Sequence, residues 1–448
     1  MEYGAISLLP TALVLVLAIW SRRTLESVIA GAILAFLIMD GWLFLDQLAA
    51  VTTEVLMDEV TAWVVLVCGL YGCFIALLVK GGGSYAFGQM LTRRLTTKKS
   101  SLLATWFLGL VIFLDDYLNS LTVGATMKAV TDRFRTSREM LAYVVDSTAA
   151  PMCLLIPISS WGVYFAGLLE KNGVADTGEG IALFVESIPY MFYPLVALII
   201  VPLAVTRVIP LLGKMRDAEM RAETTGDLGI FEDPALAVEP SERANMSVFF
   251  LPIIALLFFT VFPTVDLLRG VMAGILFTVI QYWAMRIMPL AELLDTCIDG
   301  LKSMIPVLSM LLALFVFVEA NDAMGLTEYV ITAVEPYMTA ALLPALIFLT
   351  LSVVSYTTGS NWGVIAIAMP VAFPLAEALG VNLPLVIGAL LSASGFGSHA
   401  CFYSDSTVLS AQGAGCRTYD HAITQLPYAV LGAVFATLFY LIAAYVMH

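Results

Sequence analysis

Two adjacent carboxylates, Asp115 and Asp116, lie midway along an apolar stretch, residues 101–131, that has basic residues beyond both ends. An ionisable group at membrane depth is costly unless it faces a cavity or a partner, so two acids there point to an ion or proton site. Lys98 and Lys99 precede the stretch and Arg133, Arg135 and Arg138 follow it. Cytoplasmic loops carry the excess of base, so both ends belong in the cytoplasm. The segment Asp115-Asp116-Tyr117-Leu118-Asn119-Ser120 is therefore expected at the tip of a re-entrant hairpin.

The surrounding chain has the composition of a membrane protein: 448 residues, 60% hydrophobic and 12% charged, with mean hydropathy +0.93. That lies outside the range of soluble domains, and the expected class is an all-α polytopic membrane protein. Glu2 precedes the first apolar run and Arg22-Arg23 follow it, the reverse of a signal peptide, so the run is read as a retained span with its N-terminus outside. The net charge of −14 comes mostly from loops assigned to the outside and from one linker, and gives no support to a nucleic-acid partner. Six cysteines show neither a CxxC pair nor Cys/His ligand spacing and read as small buried hydrophobes. Lys80-Gly81-Gly82-Gly83-Ser84 lacks phosphate-loop spacing and reads as a tight turn.

A crossing helix needs about 20 apolar residues. Spans are expected at 4–20, 25–45 and 60–79, with an outer loop carrying Asp46, Glu54, Asp58 and Glu59 between the second and third. After the hairpin, spans at 141–169 and 181–206 complete a first unit, 1–209. The mixed-charge segment 210–245, with Pro234 and Pro240, reads as a cytoplasmic linker. The second unit, 246–448, has spans at 246–262, 267–285 and 303–320, with Arg286 and Lys302 inside and Glu319, Asp322, Glu328 and Glu335 outside.

An apolar stretch at 340–379 is too long for one span and has acidic flanks, so a second hairpin is expected to enter from outside, its tip at Thr357-Thr358-Gly359-Ser360-Asn361-Trp362. Spans at 383–411 and 425–447 follow. Each unit then has five crossings and one hairpin, about ten transmembrane helices in all. Five is odd, so the units run in opposite senses, the inverted-repeat plan of secondary transporters.

The span after each hairpin is also interrupted. The first contains Asp146-Ser147-Thr148, Pro151, Pro157 and Ser159-Ser160-Trp161; the second contains Gly395-Phe396-Gly397-Ser398-His399 and Ser404-Asp405-Ser406. Proline and glycine are expected to unwind both near mid-depth, freeing carbonyls for a cation. Proline and glycine can also merely kink packed helices, and a lone serine more often bonds its own backbone. The gathering of acids, amides and hydroxyls at four corresponding places favours a site. Its candidate members are Asp115, Asp116, Asn119, Ser120, Asp146, Ser147, Thr148, Ser159, Ser160, Thr358, Ser360, Asn361, Ser398, His399, Ser404, Asp405 and Ser406.

Several strings are recognisable. Leu114-Asp-Asp-Tyr-Leu-Asn-Ser-Leu-Thr-Val-Gly124, Val145-Asp-Ser-Thr-Ala-Ala-Pro151 and Ile156-Pro-Ile-Ser-Ser-Trp-Gly162 resemble the NhaC family of sodium/proton antiporters. The run Thr407 to Cys416, Asp420-His421 and Thr424-Gln-Leu-Pro-Tyr-Ala429 are similar to it too. The resemblance implies an electrochemically driven exchanger with paired hairpins, often dimeric through a scaffold domain. The chain departs from the family pattern at Ser398, where a carboxylate is usual, and at Phe402-Tyr403, where Pro-Ile is usual.

The expected mechanism is alternating access, with protons moving in and sodium moving out, no cofactor beyond these ions, and lipid as the surrounding medium. Sodium prefers oxygen ligands, here Asp115, Asp116, Asn119, Asp146, Ser147, Ser360, Asn361 and Asp405, with Asp116 favoured as the proton carrier. The alternative is coupled transport of a small organic molecule such as an amino acid, hydroxy acid or drug, against Trp161, Trp362, Phe402 and Tyr403. An intramembrane aspartyl protease using Asp116 and Asp405 is a distant third, since no Gly-x-Gly-Asp element exists.

Overall fold

The computed structural model describes residues 3–447, apart from 22, 84–85, 87–89, 91–94, 114, 158, 172, 177, 232–245, 263–265, 338, 360 and 362. Every regular element among them is helical. Six helical runs are long and apolar enough to cross a bilayer: 25–57, 61–80, 267–284, 290–323, 383–400 and 418–447. A seventh, 180–205, bends by 51° at residue 191. The other apolar stretches are divided into shorter helices.

The chain opens with α1 (Leu8–Ser21), α2 (Thr24–Asp40), α3 (Phe44–Met57) and α4 (Glu59–Lys80). Residues 46–57, expected as an outer loop, instead form α3, which follows α2 after a single 3-10 turn. Charge patterning marks a segment as polar but does not separate a surface helix from a loop.

The first hairpin is α5 (Lys98–Val111) and α6 (Asp116–Arg133). Thr97 caps α5 in a reciprocal bond pair with Ser100, and Asp115 caps α6 by accepting from the Tyr117 and Leu118 amides at 2.9 and 3.2 Å. Lys98 Nζ donates to the Arg135 carbonyl at 3.0 Å, so the two ends of the hairpin meet at one face of the protein. Next come α7 (Arg138–Thr148), the short α8 (Ala150–Leu154), α9 (Ser160–Lys171), α10 (Gly180–Ser187) and α11 (Phe192–Val205). The break after α7 falls at Ala149, with Pro151 in the first turn of α8. Polar helix α12 (Gly213–Thr225) lies within the segment read as a linker. It is tied to the hairpin end by Lys98–Glu219 at 2.6 Å and to α7 by Arg221–Glu139 at 2.7 Å.

The second part begins with α13 (Met246–Val261), α14 (Leu267–Ala284), α15 (Leu290–Ser303) and α16 (Ile305–Ala323). Residues 290–302, expected to lie before the span, form α15, with Leu293, Thr296 and Gly300 buried and Lys80 paired to Glu292 at 3.3 Å. A side chain at Gly72 or Gly300 would collide with the other's carbonyl, so only glycine lets α4 and α15 approach this closely. Then come α17 (Leu326–Val334), the second hairpin α18 (Leu343–Thr358) and α19 (Gly363–Ala378), then α20 (Leu383–Ala400), α21 (Asp405–Ala414) and α22 (Thr418–Met447). Gly359, at φ +72°, ends α18.

Gly395 and Gly397 do not unwind α20, which runs on to Ala400 before breaking at 401–404. They serve packing instead: a Cβ at Gly395 would press on Leu154, and one at Gly397 would collide with Ser355. The pairing of helices is reciprocal. α1 packs on α2 as α13 packs on α14, α2 on α16 as α14 on α4, and α5 on α7 as α18 on α20.

Candidate functional site

Helices α6 and α21 start side by side and run in the same direction. Tyr117 Oη donates to Asp405 Oδ2 at 2.8 Å, the Ser120 and Ser410 hydroxyls bond at 2.9 Å, and Gly124 crosses Gly413 so closely that a Cβ at either would strike backbone. Asp115 and Ser404 cap the two starts, and Asp116 and Asp405 occupy the first turns. Two positive helix ends thus converge on two buried acids, a setting that favours negative charge.

Asp116 is 1% exposed. Its Oδ1 accepts from Trp161 Nε1 at 3.0 Å, while Oδ2 has no partner. Asp115 and Asp405 are its charged neighbours. Asp405 is better satisfied: Oδ2 takes Tyr117, and Oδ1 takes Asn361 Nδ2 at 3.0 Å and the Ser406 amide at 2.8 Å. Asn361 ties the second hairpin's tip to α21 and, through its carbonyl, accepts the Ser394 hydroxyl at 2.7 Å from α20. On the α4 side, the Tyr71 hydroxyl is buried without a partner.

Asp146 anchors a second network, joined to the first at Ser406. Its Oδ1 accepts the Ser406 hydroxyl in a short bond, and Oδ2 accepts Gln425 Nε2 at 2.7 Å and His421 Nε2 at 3.0 Å. His399 lies between Ser147 Oγ at 2.9 Å and Tyr193 Oη at 2.7 Å. Gln425 also donates to the His399 carbonyl. Tyr117, Tyr193, His421 and Gln425 were not among the sequence candidates. His421 and Gln425 stood in the strings that resemble NhaC, and one of only three histidines beside an acid was the available signal.

The expected sodium ligands among the described residues therefore do not all gather at one point. Asp115, Asp116, Asn361 and Asp405 lie around the paired helix starts; Asp146 and Ser147 belong to the histidine network. Asn119 spends its amide on the Gly109, Ile112 and Thr148 carbonyls, all at 2.8 Å, and so closes the hairpin tip. Among the described residues no three of His, Cys, Asp and Glu converge as a metal-binding group.

Thr148 and Thr358 bond back to their own helices, and Ser159 caps the turn into α9, accepting the Gly162 amide at 2.9 Å. The carbonyl of Ser398, expected to be freed, accepts the Ser404 and Thr407 hydroxyls at 2.6 and 3.3 Å, while its own buried hydroxyl has no partner. Ser160 starts α9; Ser360 and Trp362 lie outside the described residues. Phe402 stacks on Tyr419 with centroids 5.8 Å apart, and Tyr403 donates to the Thr357 carbonyl, so both are core groups.

Apolar helices of membrane-crossing length, helical hairpins and broken helices around buried acids are the features of a multi-pass secondary transporter. Residues 152–445, about two thirds of the chain, match the Na+/H+ antiporter family, and the chain belongs to it as a cation antiporter of the membrane. It is 29% identical over 478 aligned residues to an uncharacterised protein of Haemophilus influenzae, covering 98% of this chain and 91% of that one. A shorter match, 43% over 60 residues or 13% of each chain, is to the malate-2H+/Na+-lactate antiporter of Bacillus subtilis. Among solved structures the YdaH transporter of Alcanivorax borkumensis aligns over 90% of this chain and 89% of its own, at 13% identity and TM-score 0.38. Both sequence relatives are bacterial, in keeping with an inner-membrane location.

Proposed function

We propose that Asp116 is where proton and sodium compete, and that this competition couples inward proton movement to outward sodium movement. The carrying observation is the unpartnered Oδ2 of a carboxylate that is 1% exposed. A buried acceptor without a partner costs about 1–3 kcal/mol, more when charged, and either a proton or a cation relieves it. One oxygen takes only one of them at a time. Asp115, Asp405 and the Asn361 amide shape the surrounding field, and Trp161 fixes the carboxylate's orientation.

The reciprocal helix pairing supports an inverted repeat whose two hairpin units move against the paired helices α1–α4 and α13–α16, exposing Asp116 to each side in turn. The protein acts as a carrier, in keeping with its family, and both oxygens of Asp405 are hydrogen-bonded, which disfavours an Asp116–Asp405 protease dyad. It needs no cofactor beyond the transported ions.

A second reading, exchange that includes a hydroxy acid, draws on the name of the Bacillus subtilis relative. Against it, Phe402 and Tyr403 are packed in the core and offer no exposed aromatic wall. Purified protein in liposomes with an internal pH dye tests both, given sodium, lithium, potassium, malate or lactate in turn. Sodium-driven alkalinisation that Asp116→Asn removes is the expected result. Flux of malate or lactate with no response to sodium alone would replace this reading by the second.

A further inference from the structure

Two cations stand side by side where the first hairpin begins, far along the chain from one another and away from Asp116. Lys99, in the first turn of α5, donates its Nζ to the Thr206 carbonyl at 3.1 Å, its one hydrogen bond among the described residues. That bond sets it beside Arg207, which follows the end of α11. The nearby acids are committed elsewhere: Lys98 holds Glu219 and Glu223 at 2.6 and 3.0 Å, while Arg207 reaches them only at 3.4 and 3.8 Å. Like charges held together repel, and an anion between them relieves the repulsion.

There is room for one. Lys98, Lys99, Arg207 and Glu223 line one side of a cavity of about 240 Å³, and Leu102, Met140 and Val205 line the other. The cavity sits at a membrane boundary, because α11 closes the apolar run 180–205 and Arg207 lies just past its end. The apolar side continues inward from there. Phe107 lies eight residues beyond Lys99 on α5 and Ile199 eight residues before Arg207 on α11, each about 12 Å along its helix. Both side chains are exposed, and Trp106 Nε1 donates to the Leu198 carbonyl at 3.2 Å, joining the two helices at that depth.

We propose that this cavity binds the phosphate of an anionic glycerophospholipid, with Lys99 and Arg207 holding the headgroup and the α5–α11 face carrying an acyl chain. A guanidinium fork matches phosphate oxygens, and the Lys99 ammonium has two further N–H donors to give. A soluble phosphate would meet the same two cations but would leave the apolar track unused, so the lipid is the occupant that fits the whole site. Basic pockets beside spanning helices recognise headgroups in this way. The bound lipid braces the start of the hairpin against α11, and the site stands independently of the reading of Asp116.

The test is a thermal melt of the full chain in detergent, titrated with short-chain phosphatidylglycerol, with phosphatidylcholine of equal chain length, or with inorganic phosphate. Wild-type melting temperature should rise by several degrees with phosphatidylglycerol and stay unchanged with the other two. Lys99→Gln should need about fivefold more phosphatidylglycerol for half the effect, the share of one cation at a lipid headgroup. Lys302→Gln, which removes an exposed cation paired with Asp299 on α15, should titrate as wild type. Equal responses to phosphatidylglycerol and phosphatidylcholine would overturn the proposal, and this wild-type comparison decides even where a variant does not fold. A matching rise with inorganic phosphate would replace the lipid by a free anion. An unchanged midpoint in Lys99→Gln, or an equal change in Lys302→Gln, would overturn the assignment to this cavity.

Discussion

The Tyr117 hydroxyl, in the first turn of α6, donates to Asp405 in the first turn of α21, joining residues 288 positions apart at the point where the two helices begin. The bond fills one oxygen of Asp405 and leaves Asp116 as the acid with an open oxygen. Tyr117→Phe should unpair Asp405 Oδ2, costing about 1–3 kcal/mol of stability. It should also change the apparent sodium affinity while leaving the pH dye response present. Thermal melts in detergent and sodium titrations of dye-loaded liposomes measure the two effects, and an unchanged sodium response would remove Tyr117 from the site.

Asp116→Asn should abolish sodium-dependent proton movement with little loss of stability, because an uncharged amide is cheaper to bury than a carboxylate with one oxygen unpaired. Liposome flux and a melting curve on the same preparation check both halves of this expectation.

Asp146→Asn should behave differently. Asp146 accepts from Ser406, His421 and Gln425, and an amide would face at least one of these donors with another donor. Breaking a buried charged network by altering one member costs on the order of 3–5 kcal/mol, so a marked fall in melting temperature is expected. A melt matching wild type would show that the network contributes little.

Gly413→Ala should force α6 and α21 apart, because its Cβ would strike the Ser120 carbonyl. Gly167→Ala, with nothing near its Cβ, should be neutral or stabilising by up to about 1 kcal/mol. Comparing melts of the two variants isolates packing from helix propensity.

At the start of α7, burial holds the Glu139 carboxyl above its ordinary value, and the Arg221 guanidinium partly offsets this. Removing the offset in Arg221→Ala should raise it further. An acid whose folded value is raised binds more protons folded than unfolded, so its stability contribution falls as pH rises. The variant should therefore lose stability relative to wild type as pH rises through and above the ordinary carboxylate range. A gap between the two melting temperatures that stays constant over this range would contradict the assignment.

Much of the plan was legible in the chain. Charged flanks around an apolar stretch located the first hairpin, and Lys98 bonded to the Arg135 carbonyl is its closure. Asp115-Asp116 marked the tip because acids are rare and costly in such surroundings. The roles of individual groups were less legible. Asp115 and Asn119 also took structural roles, one capping α6 and the other closing the hairpin tip with its amide nitrogen while its Oδ1 stays unpartnered, because a side chain's nearest unsatisfied backbone group is fixed by folding and not by sequence spacing. Gly395 and Gly397 looked like breaks, yet they mark close packing, since glycine serves both purposes and only a neighbour's position separates them.

The sequence by itself determined a helical membrane chain, the presence of acids within its apolar stretches and the family it resembles, because hydropathy and flanking charge act locally along the chain. Tertiary structure decided that Asp146 is filled by His421, Gln425 and Ser406 while Asp116 keeps an oxygen open. Those partners come from segments hundreds of residues apart, and hydrogen-bond satisfaction in a dry interior depends on a few tenths of an ångström that no local pattern encodes.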